Sequence, residues 1–144
     1  MKKKKRLPGT HWFIRNDPYT ARDNKRIKVG VTHTLNNSLP LALCYNGYHA
    51  SSKLADALYY GYIHSSGRYR NKYHIYRVTL SKEQDVGGDK VAARWRKYVA
   101  KSGPYSEYEI HNLYKKLWPS TSYTTHNKHI YARVKKRLFA DLRK

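Results

Sequence analysis

Cys44-Tyr-Asn-Gly-Tyr-His-Ala-Ser-Ser52, the short run Lys53–Tyr60 that follows it, and Tyr73-His-Ile-Tyr-Arg-Val-Thr-Leu80 beyond a polar loop together decide the fold. Asn46-Gly47 is a turn signal, because glycine adopts the positive φ that other residues resist. Ser51 or Ser52 stands where an N-cap belongs, ahead of a helix whose Leu54, Ala55, Leu58 and Tyr59 fall on one face. In Tyr73–Leu80, Tyr76, Val78 and Leu80 alternate with Arg77 and Thr79, the pattern of a half-buried strand. Turn, helix and strand in such close succession predict an α+β fold: a small, mostly antiparallel sheet with a crossing helix.

On the N-terminal side, Ile27-Lys-Val-Gly-Val31 alternates and predicts a strand continuing to His33 and Thr34. Leu39–Leu43 is a short extended run that Pro40 puts at an edge or a strand start. Towards the C-terminus, Gly87-Gly88 marks a turn. Asp89–Ala100 fits helix and strand periods alike, and its place after that turn favours a strand. Ser106-Glu-Tyr-Glu109 is a capping box for a helix with Ile110, Leu113, Tyr114, Leu117 and Trp118 on one face, stopped by Pro119. Ser120–Thr125 then leads to a second helix over Lys128–Leu142, with Ile130, Val134, Leu138 and Leu142 inward. The expected organisation is a flexible basic arm (1–10), an α+β core domain (11–101) and a basic helical extension (102–144).

The chain's 144 residues suit one domain. Fifteen tyrosines and three tryptophans must supply much of the buried apolar area, and the tyrosine hydroxyls predict a core lying close to the surface. Thirty Lys and Arg against nine acids give a net charge of +21. Such a polycation repels itself when compact, and a polyanion relieves the repulsion and sheds its condensed counterions. Nucleic acid or a nucleoprotein is therefore the expected partner, not a membrane, since membrane-surface helices pair Lys and Arg with Leu, Phe and Trp more than with Tyr. Residues 31–90 hold seven bases and four acids, whereas 1–30 hold ten and two and 91–144 hold thirteen and three, so the flanks are the gripping parts.

The phosphate-contact candidates are Lys2, Lys3, Lys4, Lys5 and Arg6 in the arm, Arg94, Arg96 and Lys97 in the middle, and Lys128, Arg133, Lys135, Lys136, Arg137 and Arg143 on the last helix. Trp12, Tyr69, Tyr73 and Trp95 are candidates for base stacking. Cys44 is the sole cysteine, which rules out an intrachain disulfide and fits a reducing compartment. No apolar run reaches membrane-span length, and the lysine-rich start lacks a hydrophobic region, so a cytoplasmic protein is expected. Cys44, His49, His126 and His129 lack the paired-cysteine spacing of a zinc site, and no metal is expected.

Two resemblances add to this. Lys28-Val-Gly-Val-Thr-His33, Cys44 to Ser51, Ala55-Asp-Ala-Leu58 with Tyr60, Tyr76-Arg-Val78 and Gly88-Asp-Lys-Val91 with Ala93 resemble a family of small proteins common in tailed-phage genomes. That likeness implies a bacterial host cell, and a regulatory or counter-defence role fits it. Arg94-Trp95-Arg96 stands where the family often has Thr-Glu-Arg. The Gly-Tyr-His-Ala-Ser stretch, the helix ending in Tyr60 and the Tyr-Arg-Val-Thr-Leu strand also look like the heart of the ADP-ribosyltransferase fold. This second likeness implies an NAD-using enzyme with four candidate catalytic residues. His33 would hold a ribose, His49 would stand at a usual tyrosine position, Tyr60 would stack on nicotinamide and Glu107 would supply the acid. Without it, no cofactor is expected.

Overall fold

The computed structural model describes residues 11–16, 25–63, 71–118 and 127–142. The Lys2–Arg6 arm, His64, Tyr69, Pro119, the Ser120–Thr125 connection, His126 and Arg143 lie outside the described residues. The fold is α+β, and every strand pairing is antiparallel. In chain order the elements are β1 (His11–Arg15), β2 (Thr32–Thr34), β3 (Tyr48–Ala50), α1 (Leu54–Leu58) widening into a π-turn (Tyr59–Ile63), β4 (Tyr73–Leu80), β5 (Gln84–Val86), β6 (Val91–Ala93), β7 (Trp95–Tyr105), α2 (Glu107–Leu117) and α3 (Lys128–Leu142). A four-stranded sheet runs β1-β4-β7-β2, and a three-stranded one runs β3-β6-β5.

Tyr73–Leu80 is a strand as its alternation predicts, but its position corrects the half-buried expectation. It lies between β1 and β7, and Tyr73 through Val78 are buried on both faces. Tyr73 and Ile75 point to one side, joining Ile14, Ala100 and Tyr105 against Leu58 of α1, Ile110 and Leu113 of α2, and Val134, Leu138 and Leu142 of α3. Tyr76 and Val78 point to the other, joining Ile27, Ala50 and Tyr98, with Phe13 packed on them. The tyrosine core is therefore deep: Tyr76, Tyr98 and Tyr105 are each 0% exposed. Their hydroxyls do not hold them at the surface.

Two extra residues in β7 shape the sheet. Arg77 faces Ala100 while Val78 faces Tyr98, and Tyr73 faces Tyr105 while Ile75 faces Ser102. One bulge thus falls at Val99 and another at Gly103-Pro104, and each switches which face the following side chains take. Arg96 and Tyr98 lie on the aromatic face, Ala100 and Ser102 on the helical face. β7 also runs through the boundary expected at 101/102, and α2 and α3 close the same core as the sheet. The helical pair is part of the domain.

Local corrections have local causes. The strand expected over Ile27–Val31 begins only at Thr32, because Gly30 takes φ +93° in a turn closed from Val31 N–H to the Lys28 carbonyl. Leu39–Leu43 bends instead of extending, since the turn expected at Asn46-Gly47 starts earlier. Asn46 N–H donates to the Ala42 carbonyl at 2.8 Å, and Cys44 occupies the left-handed region at φ 69°. α1 is preceded by Lys53 with no side-chain cap, while Ser51 exchanges backbone hydrogen bonds with Trp12. By contrast the strand favoured over Asp89–Ala100 is present in two pieces, β6 and the start of β7, which a bend at Arg94 sends to different sheets, and the Ser106/Glu109 capping box is formed in both directions.

Candidate nucleic-acid interface

α3 carries the largest set of sequence-predicted cations among the described residues. Asn127 starts it: its Oδ1 accepts from the amides of His129 and Ile130, and its own N–H donates to Asn112 Oδ1 of α2 at 2.6 Å. This cap has no capping-box partner, but an Asn just ahead of the apolar period is its sequence signal. Val134, Leu138 and Leu142, buried against the sheet, fix the rotation of the helix. With that face inward, Lys128, Arg133, Lys135 and Lys136 are all exposed on the solvent side, alongside Ala132 and Ala140. Asp141 is the only acid in α3, and it is spoken for: Ser102 Oγ donates to Oδ2 at 2.7 Å and Arg137 Nε lies 3.6 Å away.

The remaining phosphate candidates separate by burial. Arg137 is exposed but partly committed, donating to the Pro104 carbonyl at 3.0 Å and lying over the Tyr105 ring. Lys97 is exposed on β7. Arg94 braces a loop, with Nε 2.7 Å from Glu83 Oε2 and Nη1 donating to the carbonyls of Asn37 and Leu39. Arg96 is a correction. At 3% exposure it is a core residue, because the β7 register puts it on the aromatic face. Its guanidinium sits 3.7 Å from the Phe13 ring centroid and donates to the Tyr98 hydroxyl and, at 2.6 Å, to the His49 carbonyl. Of the stacking candidates, Tyr73 is buried, Trp12 is covered by the Arg77 guanidinium at 4.2 Å, and Trp95 is half-buried.

The four enzyme candidates are not gathered into one site, although Cys44 and Lys90 link His49 to Tyr60. His33 is 3% exposed on the aromatic face; Nε2 faces the Arg26 carbonyl at 2.9 Å and Nδ1 faces the Tyr98 hydroxyl at 3.0 Å. A carbonyl only accepts, so Nε2 carries the proton and Nδ1 accepts from Tyr98, which in turn accepts from Arg96. His33 is thus enclosed in a chain of hydrogen bonds running from Arg96 to Arg26. His49 braces the neighbouring turn, its Nε2 accepting from the Cys44 amide at 3.0 Å. Tyr60 donates to Asp89 Oδ2 at 2.7 Å; desolvation and that carboxylate push its hydroxyl up to about 12, so it keeps its proton at physiological pH. Glu107 opens α2, on the helical face of the sheet, opposite His33. The sheet itself separates the expected ribose ligand from the expected acid.

One further cluster brings a nucleophile near a cation. Lys90 Nζ lies 2.8 Å from Cys44 Sγ and 4.5 Å from the Tyr60 ring centroid, and Asp85 Oδ2 accepts from Leu43 N–H. These contacts pin the Ala42–Asn46 turn to the small sheet. Among the described residues no group of three or more His, Cys, Asp or Glu is arranged to hold a metal ion, and no helix is long and apolar enough to cross a membrane. The sequence does not mark Arg26, Lys28 and Lys101 as partners. Lys101 lies far along the chain from Arg26 and Lys28, and only the fold brings it to the same groove. No protein-family model, curated protein or solved structure matches the chain.

Proposed function

We propose that the protein binds nucleic acid, alone or within a nucleoprotein, chiefly through phosphate contacts made by the outer face of α3. The observation that carries this is the unopposed charge of that face: Lys128, Arg133, Lys135 and Lys136 are exposed, and the helix's one acid is engaged on its inner side. A surface that exists for solubility alone intersperses both signs, whereas a row of cations without acids repels itself until a polyanion arrives. The whole-chain charge of +21 adds long-range attraction for the same partner. Phosphate contact supplies affinity and position, so sequence preference is expected to be weak. The likeness of the central stretch to tailed-phage proteins supports a setting in an infected bacterial cell, with a regulatory or counter-defence task there.

The direct experiment is an electrophoretic shift with duplex DNA, single-stranded DNA and RNA at low ionic strength. Retardation of at least one of them, relieved by added salt, is the expected result. Free migration of all three overturns the proposal.

A further inference from the structure

A second basic surface lies beside β4 and β7, the inner strands of the four-stranded sheet. The turn Arg26–Val31 is tied to β7 by hydrogen bonds from Gly30 N–H to the Tyr98 carbonyl and from Tyr98 N–H to the Val31 carbonyl, and beside it lies a groove of about 740 Å³ lined by those six residues together with His74 and Lys101. Arg26, Lys28 and Lys101 are exposed cations, and none of the described residues lining the groove is acidic. His74, only 6% exposed, stands in its wall and is held by a hydrogen bond from Nδ1 to the Lys72 carbonyl at 3.2 Å. Val29 and Val31, 52% and 38% exposed, add an apolar wall.

Converging cations without a carboxylate mark a place where a bound anion lowers the energy. Burial lowers the His74 pKa first, and Lys101, Arg137 and Lys72 push it the same way against the Lys72 carbonyl bond. Arg137 of α3 is thus among the cations that act on the wall of the groove. Its shape selects between forms of nucleic acid. A duplex presents phosphates on a wide convex cylinder and touches only the rim, whereas a single strand can lie along a charged groove with its sugars and bases on apolar side chains.

We infer that this groove seats the phosphodiester backbone of a single-stranded segment. The inference rests on the nucleic-acid reading above and adds to it a second site and a preference. Lys28→Ala/Lys101→Ala removes two groove charges, and Lys53→Ala/Lys82→Ala removes two exposed charges elsewhere as a matched control. Anisotropy of a labelled single strand and of a duplex of the same length is measured with both variants and with the parent protein. The groove variant is expected to lose about tenfold in single-strand affinity and less than about threefold on duplex, while the control loses little on either. Equal losses on both substrates, matching the control, overturn the groove and leave the α3 proposal standing. Parent protein that binds neither substrate overturns both. As a second readout, the His74 ring proton resonances are followed by NMR as the single strand is added. Displacement of those resonances at substoichiometric strand supports the site, and resonances unmoved at saturation overturn it.

Discussion

Arg96 is the residue whose placement most changes the picture of this chain. Between Trp95 and Lys97 it looks like one more surface cation, yet the bulge at Val99 and the pairing with β2 turn it inward beneath Phe13. Its charge is balanced by aromatic faces and by the oxygens of Tyr98 and His49. Removing one of those oxygens leaves a buried guanidinium short of an acceptor. Tyr98→Phe is therefore expected to cost about 2 kcal/mol, read as a lower midpoint in urea with unchanged slope. Three histidines are expected to make stability depend on pH. Burial lowers the pKa of His11, His74 and His111 from the ordinary 6.5, with cationic neighbours pushing the same way. Above 6.5 both folded and unfolded chains leave these rings neutral; below it the unfolded chain takes up protons that the folded one resists, so stability falls as pH falls. Thermal midpoints between about pH 7.5 and 5.5 are expected to decline, and less steeply in His74→Gln.

At the level of elements, the helices were legible and the sheet only in part. The Ser106/Glu109 box and the 3.6-residue period of Ile130, Val134 and Leu138 are local signals, and α2 and α3 follow them within a residue. β7 was not legible in the same way, because two bulges break its alternation and no residue type announces a bulge at Val99. The separation of a core from a helical extension fails for the same reason: the sequence shows the outer face of α3 as basic but not that its inner face closes the core. Removing residues 127–144 is therefore expected to unfold the domain, since Val134, Leu138 and Leu142 each contribute roughly 1.5–3 kcal/mol of burial. Loss of the far-UV and near-UV dichroism of the truncated chain would register this. The π-turn is equally tight. A Cβ on Gly61 would lie 2.5 Å from Ile14 Cβ and 2.7 Å from its carbonyl oxygen, so Gly61→Ala is expected to destabilise by about 2 kcal/mol in urea titration.

For the molecule as a whole, the phosphate candidates readable from sequence proved to be of two kinds. Lys97, Lys128, Arg133, Lys135 and Lys136 are exposed, whereas Arg94 and Arg96 hold the fold together. The charge asymmetry of the flanks was visible from composition. That part of it, among the described residues, gathers on one helix face and beside one groove depended on packing and pairing. The central claim is that α3 neutralises phosphates, and counterion release makes it measurable as the slope of log affinity against log salt. The test is that slope, for the parent protein and for Lys135→Ala/Lys136→Ala, on a common DNA duplex. A slope shallower by about 1 for each lysine removed, with thermal stability unchanged, is the predicted result. A parent slope near zero, or identical slopes for parent and variant, would contradict the account.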